Sequence, residues 1–186
     1  WLFGVNGTSI LFPILCTLGI SQTGMNAEQF ANGEPMTHLM NLQMFRVSVM
    51  GGAGNTLGLV LLMMYSKVPQ YKVLGRLSFI PGICSINEPV IFGLPIVFNP
   101  ILGIPFVLTP IVSLVLTYFA GKFGIITNGY IVDPSFTPFF AQAYLSSMDW
   151  KNIVFMFFLV VVSVVIYYPF FKVFEKNQIK LEAEKA

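Results

Sequence analysis

The chain has 186 residues, of which 55% are hydrophobic and only 10% are charged, and its formal net charge is +2. A soluble domain normally has about 25% charged residues, so this composition excludes an ordinary soluble enzyme and indicates an integral membrane protein. No basic cluster is dense enough for phosphate binding, so nucleic acid is not an expected partner. Cys16 and Cys84 lie in apolar segments and predict buried free thiols. We expect neither a cofactor nor a metal.

The N-terminal half alternates between apolar and polar segments. The chain begins at Trp1 without Met or a charged leader, and we expect a fragment of a longer protein. Residues 1–18 are apolar, and residues 19–43 are polar and are predicted to form a loop. Residues 44–65 are apolar and contain MGGAGNTLG, whose glycines predict either close helix packing or an unwound turn. Residues 67–76 are predicted to form a short basic loop.

The C-terminal half contains two long apolar runs. Residues 104–120 and about 151–171 approach the roughly 20 residues that a helix needs to cross a bilayer. The mixed segment between them, 128–148, is broken by prolines and is predicted to be a second broken region, a hairpin that faces the first. The charged end, KVFEKNQIKLEAEKA, is predicted to be a solvated helix end.

The basic residues predict an orientation, because Lys and Arg concentrate in cytoplasmic loops. The 67–76 loop and the tail at 172–186 are basic and are expected on the cytoplasmic side, whereas residues 19–43 contain no Lys or Arg. If 101–121 and 151–171 both cross, the chain leaves and returns between the two basic regions. The segment at 84–100 must then enter the membrane and come back on the same side.

The segment in question, CSINEPVIFGLPIVFNPILGIP, is apolar but contains four prolines, at 89, 95, 100 and 105. One regular helix cannot hold them without repeated kinks, because each removes a backbone donor. Non-helical backbone at membrane depth persists only where protein or a water-filled cavity satisfies it, and in transporters such breaks mark binding sites. We therefore predict a re-entrant hairpin with its tip near Gly93–Pro95.

Glu88 is the single carboxylate of this segment, and three interpretations are open. An acid inside a membrane is costly and is usually functional, which favours ligand binding. Ser85 and Glu88 have the S-x-x-E spacing of a capping box, which needs no ligand. The side chain could also lie at the headgroup level. Arg46, near a span entrance, is expected either to pair with an acid of the site or to anchor the span at the interface.

Two sequence blocks carry a resemblance to a known family. SINEPVIFGLPIVFNP, residues 85–100, resembles the signature of enzyme IIC, the membrane permease of bacterial sugar phosphotransferase systems, in its lactose/cellobiose/diacetylchitobiose branch. WLFGVNGTSILFPIL at the start resembles the W-x-F-G-[IV]-H-G block of that family. The resemblance covers nearly the whole chain, which corresponds to the C-terminal, sugar-binding half. The N-terminal half, with most of the dimer contacts, is missing.

The resemblance implies a mechanism and a set of site residues. A permease of this family binds a disaccharide from outside and carries it across by an elevator-like movement, and enzyme IIB, supplied by IIA, phosphorylates the sugar in the cytoplasm. By position, Glu88 would accept hydrogen bonds from sugar hydroxyls, Asn87 would lie beside it, and Trp1 would flank a pyranose ring. Such charge-assisted bonds are stronger than neutral ones. The chain itself would have no catalytic residue.

Two sugar-contact positions depart from the family pattern. The family's His in the first block is Asn6 here, and Asn cannot titrate near neutral pH. A P-W-T-T-P block of the family is PSFTP here, which places Ser135 where the family has the aromatic residue. Both departures put the usual sugar in doubt. They also leave open a degenerate chain that no longer transports.

Together these observations predict an all-α polytopic membrane protein with re-entrant, proline-broken hairpins, located in the bacterial plasma membrane. Residues 1–171 would form the sugar-binding half of a homodimeric enzyme IIC permease, and residues 172–186 a cytoplasmic tail. The first alternative is a truncated or degenerate membrane subunit that does not transport. The second is an ion-coupled transporter with Glu88 as its proton site.

Overall fold

The computed structural model of the chain describes residues 4–134 and 137–184. Two predicted site residues, Trp1 and Ser135, lie outside the described residues. In the described part the regular structure is entirely helical. Its eight helices are α1 (Gly7–Ala31), α2 (Leu42–Ser48), α3 (Leu57–Met64), α4 (Pro69–Ile83), α5 (Glu88–Gly93), α6 (Pro100–Lys122), α7 (Phe139–Leu145) and α8 (Trp150–Ala183).

Three of these helices are long and apolar enough to cross a membrane: Ser9–Ala31 of α1, Pro100–Lys122 and Trp150–Ala183. The last of them continues from the apolar run into the charged tail without a break, so the prediction of a helical end is confirmed. Many large apolar side chains on these helices are exposed, as expected of surfaces that face lipid. The prediction of an all-α polytopic membrane protein is confirmed.

The predicted loop at 19–43 is wrong over its first half, because α1 continues to Ala31. Two polar residues there, Thr23 and Asn26, are buried helix residues whose side chains are hydrogen-bonded. The Thr23 hydroxyl accepts from the Leu42 amide at 3.0 Å, and Asn26 donates to the carbonyl oxygens of His38 at 2.8 Å and Gly129 at 2.9 Å. Polar residues of this kind indicate a loop in sequence, whereas here they hold neighbouring segments to a helix.

The predicted basic loop at 67–76 is also wrong. Helix α4 begins at Pro69, which suits the first turn because proline needs no hydrogen-bond acceptor for its nitrogen. Lys72 and Arg76 lie four residues apart on this helix and are exposed. The basic residues therefore lie on an exposed face of a helix and not in a loop.

The apolar segment at 44–65 is two helices, α2 and α3, joined by an unwound turn at residues 49–56. Four consecutive or near-consecutive residues in this turn have positive φ: Gly51 (75°), Gly52 (88°), Gly54 (80°) and Asn55 (51°). The unwound-turn interpretation of the glycines is confirmed there. Close packing is confirmed at Gly58, where a Cβ would collide with the Ser163 hydroxyl and the Val164 backbone of α8.

Hydrogen bonds between distant segments define the two ends of the helical bundle. At one end, Asn128 donates to the carbonyl oxygen of Met36 at 2.8 Å, which joins the loop at 32–41 to the segment after α6. At the other end, the Glu175 carboxylate accepts from the Ser66 hydroxyl at 2.6 Å and the Lys67 amide at 2.7 Å. The chain from α2 through α3 therefore runs from one end to the other despite its break.

Helices α4 and α5 form a hairpin that starts and returns at the Glu175 end. A Cβ on Gly93, the last residue of α5, would lie 2.6 Å from Leu74 of α4, so α5 runs back along α4. The tip is the link at 84–87, and the predicted tip at Gly93–Pro95 is wrong. Ser85 turns the chain there with φ of 62°. The prolines misled the prediction because Pro89 and Pro100 begin helices and do not end them.

Candidate functional site

The tip of the hairpin docks on the unwound turn. Asn87 is 4% exposed, and its side-chain amide donates to the Ala53 carbonyl oxygen at 2.7 Å. A Cβ on Gly52 would collide with the Asn87 side chain, so glycine is required there for the close approach. Asn87 thus fixes the position of the tip from within the protein, while its predicted contact with sugar remains a prediction.

Glu88 follows Asn87 and begins α5 with an exposed side chain. Within residues 4–134 and 137–184 its carboxylate makes no hydrogen bond or ion pair. The capping-box interpretation is wrong, because Asn87 and not Ser85 precedes the helix and no side chain caps it. The carboxylate is therefore available to a ligand.

The height of the tip disfavours the headgroup interpretation of Glu88. The turn that receives the tip is bonded to Ser163 and Tyr167, which lie well inside the apolar run of α8 and far from its first turn at Trp150. Along the membrane axis, an acid beside this turn therefore lies between the two ends of the bundle and not at either end. A carboxylate at that depth without a protein partner is costly unless water or a polar ligand solvates it.

The turn itself is satisfied by side chains from two other helices. The Tyr167 hydroxyl donates to the Gly54 carbonyl oxygen at 2.7 Å, and the Ser163 hydroxyl donates to the Asn55 carbonyl oxygen at 2.7 Å. The Asn55 side-chain amide donates to the Ser113 hydroxyl of α6 at 2.9 Å. These bonds supply what irregular backbone at membrane depth requires.

Sequence reasoning did not single out Ser163 and Tyr167. They stand in the run IVFMFFLVVVSVVIYYPFF, which was interpreted only as a charge-free span. A signal was present, because the two polar side chains are four residues apart and therefore lie on one face of a helix. That face is the buried face of α8, where both side chains are 0% exposed.

Asn6 is half-buried and caps the N-terminus of α1. Its side-chain oxygen accepts from the Ser9 amide at 3.0 Å, a role for which Asn is one of the preferred residues. Helices α1 and α2 run antiparallel, with Phe12 and Phe45 rings 5.8 Å apart. Asn6 therefore lies toward the end of α2 at which the unwound turn begins, on the same side of the bundle as the hairpin tip.

Arg46 on α2 pairs with Asp133, with 3.3 Å between Nε and a carboxylate oxygen, so the pairing interpretation of Arg46 is confirmed. The Asp133 side chain is 0% exposed. Burial raises the pKa of this carboxyl above its ordinary value, and the nearby guanidinium opposes that shift. Asp133 precedes Pro134 and the undescribed Ser135, so the pair anchors the segment that leads to a predicted sugar-contact position.

The second broken region is also confirmed. Over the described residues 123–134 and 137–138 the chain is irregular, and it then forms the short helix α7. Phe139 and Ala143 of α7 belong to the same buried cluster as Met50, at the start of the unwound turn. The hairpin therefore contacts this turn through Asn87, and the second region shares a buried cluster with the start of the turn through α7.

A comparison with known families agrees with this architecture. The family model "Phosphotransferase system, EIIC" matches residues 1–110, which is more than half of the chain. The chain belongs to the enzyme IIC family. The resemblance of its two sequence blocks is thereby confirmed, and the broken helices around Glu88 are features of an enzyme IIC protein.

Two curated relatives and one solved structure align with nearly all of this enzyme IIC chain. It is 34% identical to the lichenan permease IIC component of Bacillus subtilis (strain 168) over 98% of the chain and 41% of that protein. It is 33% identical to the lactose-specific EIICB component of Lacticaseibacillus casei over 100% of the chain and 33% of that protein.

The solved structure is that of the transporter ChbC, the IIC component of the N,N'-diacetylchitobiose-specific phosphotransferase system. It superposes with a TM-score of 0.92 at 34% identity over 98% of this chain and 43% of ChbC. The chain therefore spans less than half the length of each of these proteins.

Proposed function

We propose that this enzyme IIC chain is the sugar-binding half of a permease, in which the Glu88 carboxylate accepts hydrogen bonds from sugar hydroxyls. The observation that carries the proposal is an exposed carboxylate that has no partner among the described residues and follows the hairpin tip docked on the unwound turn. An ionised carboxylate can only accept hydrogen bonds, and the hydroxyl groups of a sugar can donate them.

The relatives support a disaccharide or a related glycan as the substrate class. The printed names of three of them refer to lichenan, lactose and N,N'-diacetylchitobiose. We propose cellobiose, lactose or diacetylchitobiose as the first candidates. Asn87, Trp1, Asn6 and Ser135 remain predicted contacts.

Phosphoryl transfer would belong to a partner. The relative from Lacticaseibacillus casei is named as an EIICB component, which supports enzyme IIB as the partner of this chain. The proposal also includes IIA as the phosphoryl donor and an elevator-like movement. It further includes a homodimer formed through the N-terminal half of the family's proteins, and a cytoplasmic tail at 172–186. Two basic regions at the Glu175 end of the bundle support the orientation of the tail.

The test is a calorimetric titration of the purified protein in detergent with cellobiose, diacetylchitobiose and lactose. Glu88→Gln should weaken binding of one sugar by tenfold or more, about 1.4 kcal/mol, because the amide replaces a charged acceptor by a neutral one. Glu34→Gln is the matched control, since Glu34 is exposed in the loop before α2. Equal affinities for the wild type and Glu88→Gln would remove Glu88 from the site.

The same titration separates the competing functions. If a demonstrably folded protein binds none of the three sugars, the departures at Asn6 and Ser135 favour a subunit that does not transport. An ion-coupled transporter would instead show pH-dependent uptake in vesicles without any phosphoryl donor.

A further inference from the structure

The unwound turn at 49–56 joins three elements that are distant in sequence. Three consecutive carbonyl oxygens each accept a side-chain hydrogen bond: Ala53 from Asn87, Gly54 from Tyr167 and Asn55 from Ser163, each at 2.7 Å. The first donor comes from the hairpin tip and the other two come from α8. Helix α8 and the hairpin tip are thus linked through a few peptide units of the turn.

We propose that Tyr167 and Ser163 are positioning residues for Glu88, acting through the turn and Asn87. They fix the Gly54 and Asn55 carbonyl groups, the adjoining Ala53 carbonyl holds Asn87, and Asn87 precedes Glu88 in the chain. The inference rests on the proposed function only in assigning sugar to Glu88. The positioning itself is a property of the fold and can be measured without a ligand.

The turn depends on these donors because local hydrogen bonds satisfy only part of its backbone. The Asn55 amide donates to the Gly52 carbonyl oxygen at 3.1 Å, whereas the carbonyl oxygens at 53–55 accept from distant side chains. Gly52, Gly54 and Asn55 have positive φ, which interrupts the regular hydrogen bonds of a helix. The side chains of Tyr167 and Ser163 are 0% exposed, so water does not replace a lost bond. Leaving a buried carbonyl oxygen without its donor costs the folded state more free energy than the mean net contribution of a hydrogen bond to stability.

A displaced turn would carry the hairpin tip with it. The Asn87 side chain fills the space in front of Gly52, where even a single added carbon would collide. Packing of this kind has no slack to absorb a shift of the turn. The Glu88 side chain makes no hydrogen bond or ion pair within the described residues, so its position follows from that of Asn87 and the start of α5.

The first measurement is amide hydrogen exchange of the full chain in detergent micelles. Tyr167→Phe keeps the buried ring and removes the hydroxyl, and Ser163→Ala provides an independent second variant. We expect exchange in peptides covering residues 84–91 to become about tenfold faster in each, within the range for a buried acceptor that loses its donor.

Two matched controls separate this effect from general destabilisation. Tyr168→Phe removes the neighbouring hydroxyl from a ring that is 52% exposed. Ser78→Ala removes a buried hydroxyl that has no hydrogen-bond partner in the part of the chain that the structure describes. Both controls should leave exchange at 84–91 unchanged. If exchange at 84–91 is unchanged in Tyr167→Phe and Ser163→Ala as well, the inference is overturned.

A sugar titration of the same variants distinguishes the two proposals. If Glu88→Gln and Tyr167→Phe both weaken binding while Tyr168→Phe does not, both proposals are supported. If Glu88→Gln weakens binding and Tyr167→Phe and Ser163→Ala do not, the positioning role falls and the proposed function stands. If the wild type binds no sugar, the proposed function fails, and the exchange experiment still decides whether α8 positions the tip.

Discussion

At the scale of single residues, two departures from the family pattern have different outcomes. Asn6 has a structural role that is visible here, because its side-chain oxygen caps α1 through the Ser9 amide at 3.0 Å. Its side-chain NH2 remains able to donate elsewhere. Although Asn6 replaces the family's His, it caps α1 and still offers a hydrogen-bond donor. Ser135 lies outside the described residues.

The capping role of Asn6 and its proposed contact with sugar can be separated by substitution. Asn6→Ala should destabilise the protein by about 1 kcal/mol, because the cap of α1 is lost. Asn6→Asp keeps an oxygen for the Ser9 amide but loses the NH2 donor, so it should unfold like the wild type and bind sugar more weakly. Thermal unfolding and calorimetric titration measure the two effects. Wild-type stability in Asn6→Ala would contradict the capping role.

The Arg46–Asp133 pair predicts a large effect from single substitutions. Asp133→Asn should destabilise the protein by about 3–5 kcal/mol, because it leaves a buried guanidinium beside a neutral amide. The double variant Arg46→Gln, Asp133→Asn removes both charges and should recover part of that loss. Denaturation midpoints of the two single variants and the double variant form the cycle. Additive losses would show that the two charges do not interact.

At the scale of elements, the decisive feature is a helix that stops and restarts. The turn between α2 and α3 lets backbone carbonyl groups face outward, where donors from α8 and the hairpin bind them. Beyond the turn, α3 packs closely on α8, and Gly58 is the point of contact. The break and the close packing together hold the turn between the hairpin tip and α8.

Gly58→Ala should loosen the α3–α8 contact. A Cβ there meets the Ser163 hydroxyl and the Val164 backbone, and we expect a loss of about 1–3 kcal/mol, as for other overpacked sites. Gly24→Ala is the matched control, because Gly24 lies inside α1 with nothing near its missing Cβ. That control should gain up to about 1 kcal/mol from helix propensity. A Gly58→Ala variant as stable as Gly24→Ala would refute the close contact.

At the scale of the whole molecule, the two ends of the bundle differ in charge and in contacts. The loop at 32–41 is bonded to the segment after α6, and the connection between α3 and α4 is bonded to Glu175. Lys67 and Lys72 share that second end with the described part of the charged tail, residues 172–184. The structure fixes which segments share a side, and the excess of Lys and Arg predicts that the tail side is cytoplasmic.

Cysteine labelling tests this orientation in cells. In a background with Cys16→Ser and Cys84→Ser, Glu34→Cys should react with a membrane-impermeant maleimide in intact spheroplasts. Lys180→Cys should react only after lysis or in inverted vesicles, because the tail is expected in the cytoplasm. Both target residues are exposed. Labelling of Lys180→Cys from outside would reverse the proposed orientation.

The sequence by itself determined the class of the protein and the most informative segment. Composition and run length were sufficient for a helical membrane fold, because lipid exposure requires apolar side chains whatever the packing. Four prolines and an acid in one apolar run indicated a broken, re-entrant segment around Glu88, because irregular backbone inside a membrane must be satisfied by protein or water. Neither the tip at 84–87 nor α4 as the entering arm was predicted. The signature there also identified the enzyme IIC family, which the family model confirmed.

Only the tertiary structure decided where breaks occur and which polar residues are bonded. The tip of the hairpin lies at 84–87 and the helix α1 extends to Ala31, because proline can begin a helix and buried polar side chains can find distant partners. The partners of Asn87, Ser163 and Tyr167 are more than 30 residues away in sequence. Such bonds cannot be predicted from the local sequence pattern, because they form only when separate helices pack together.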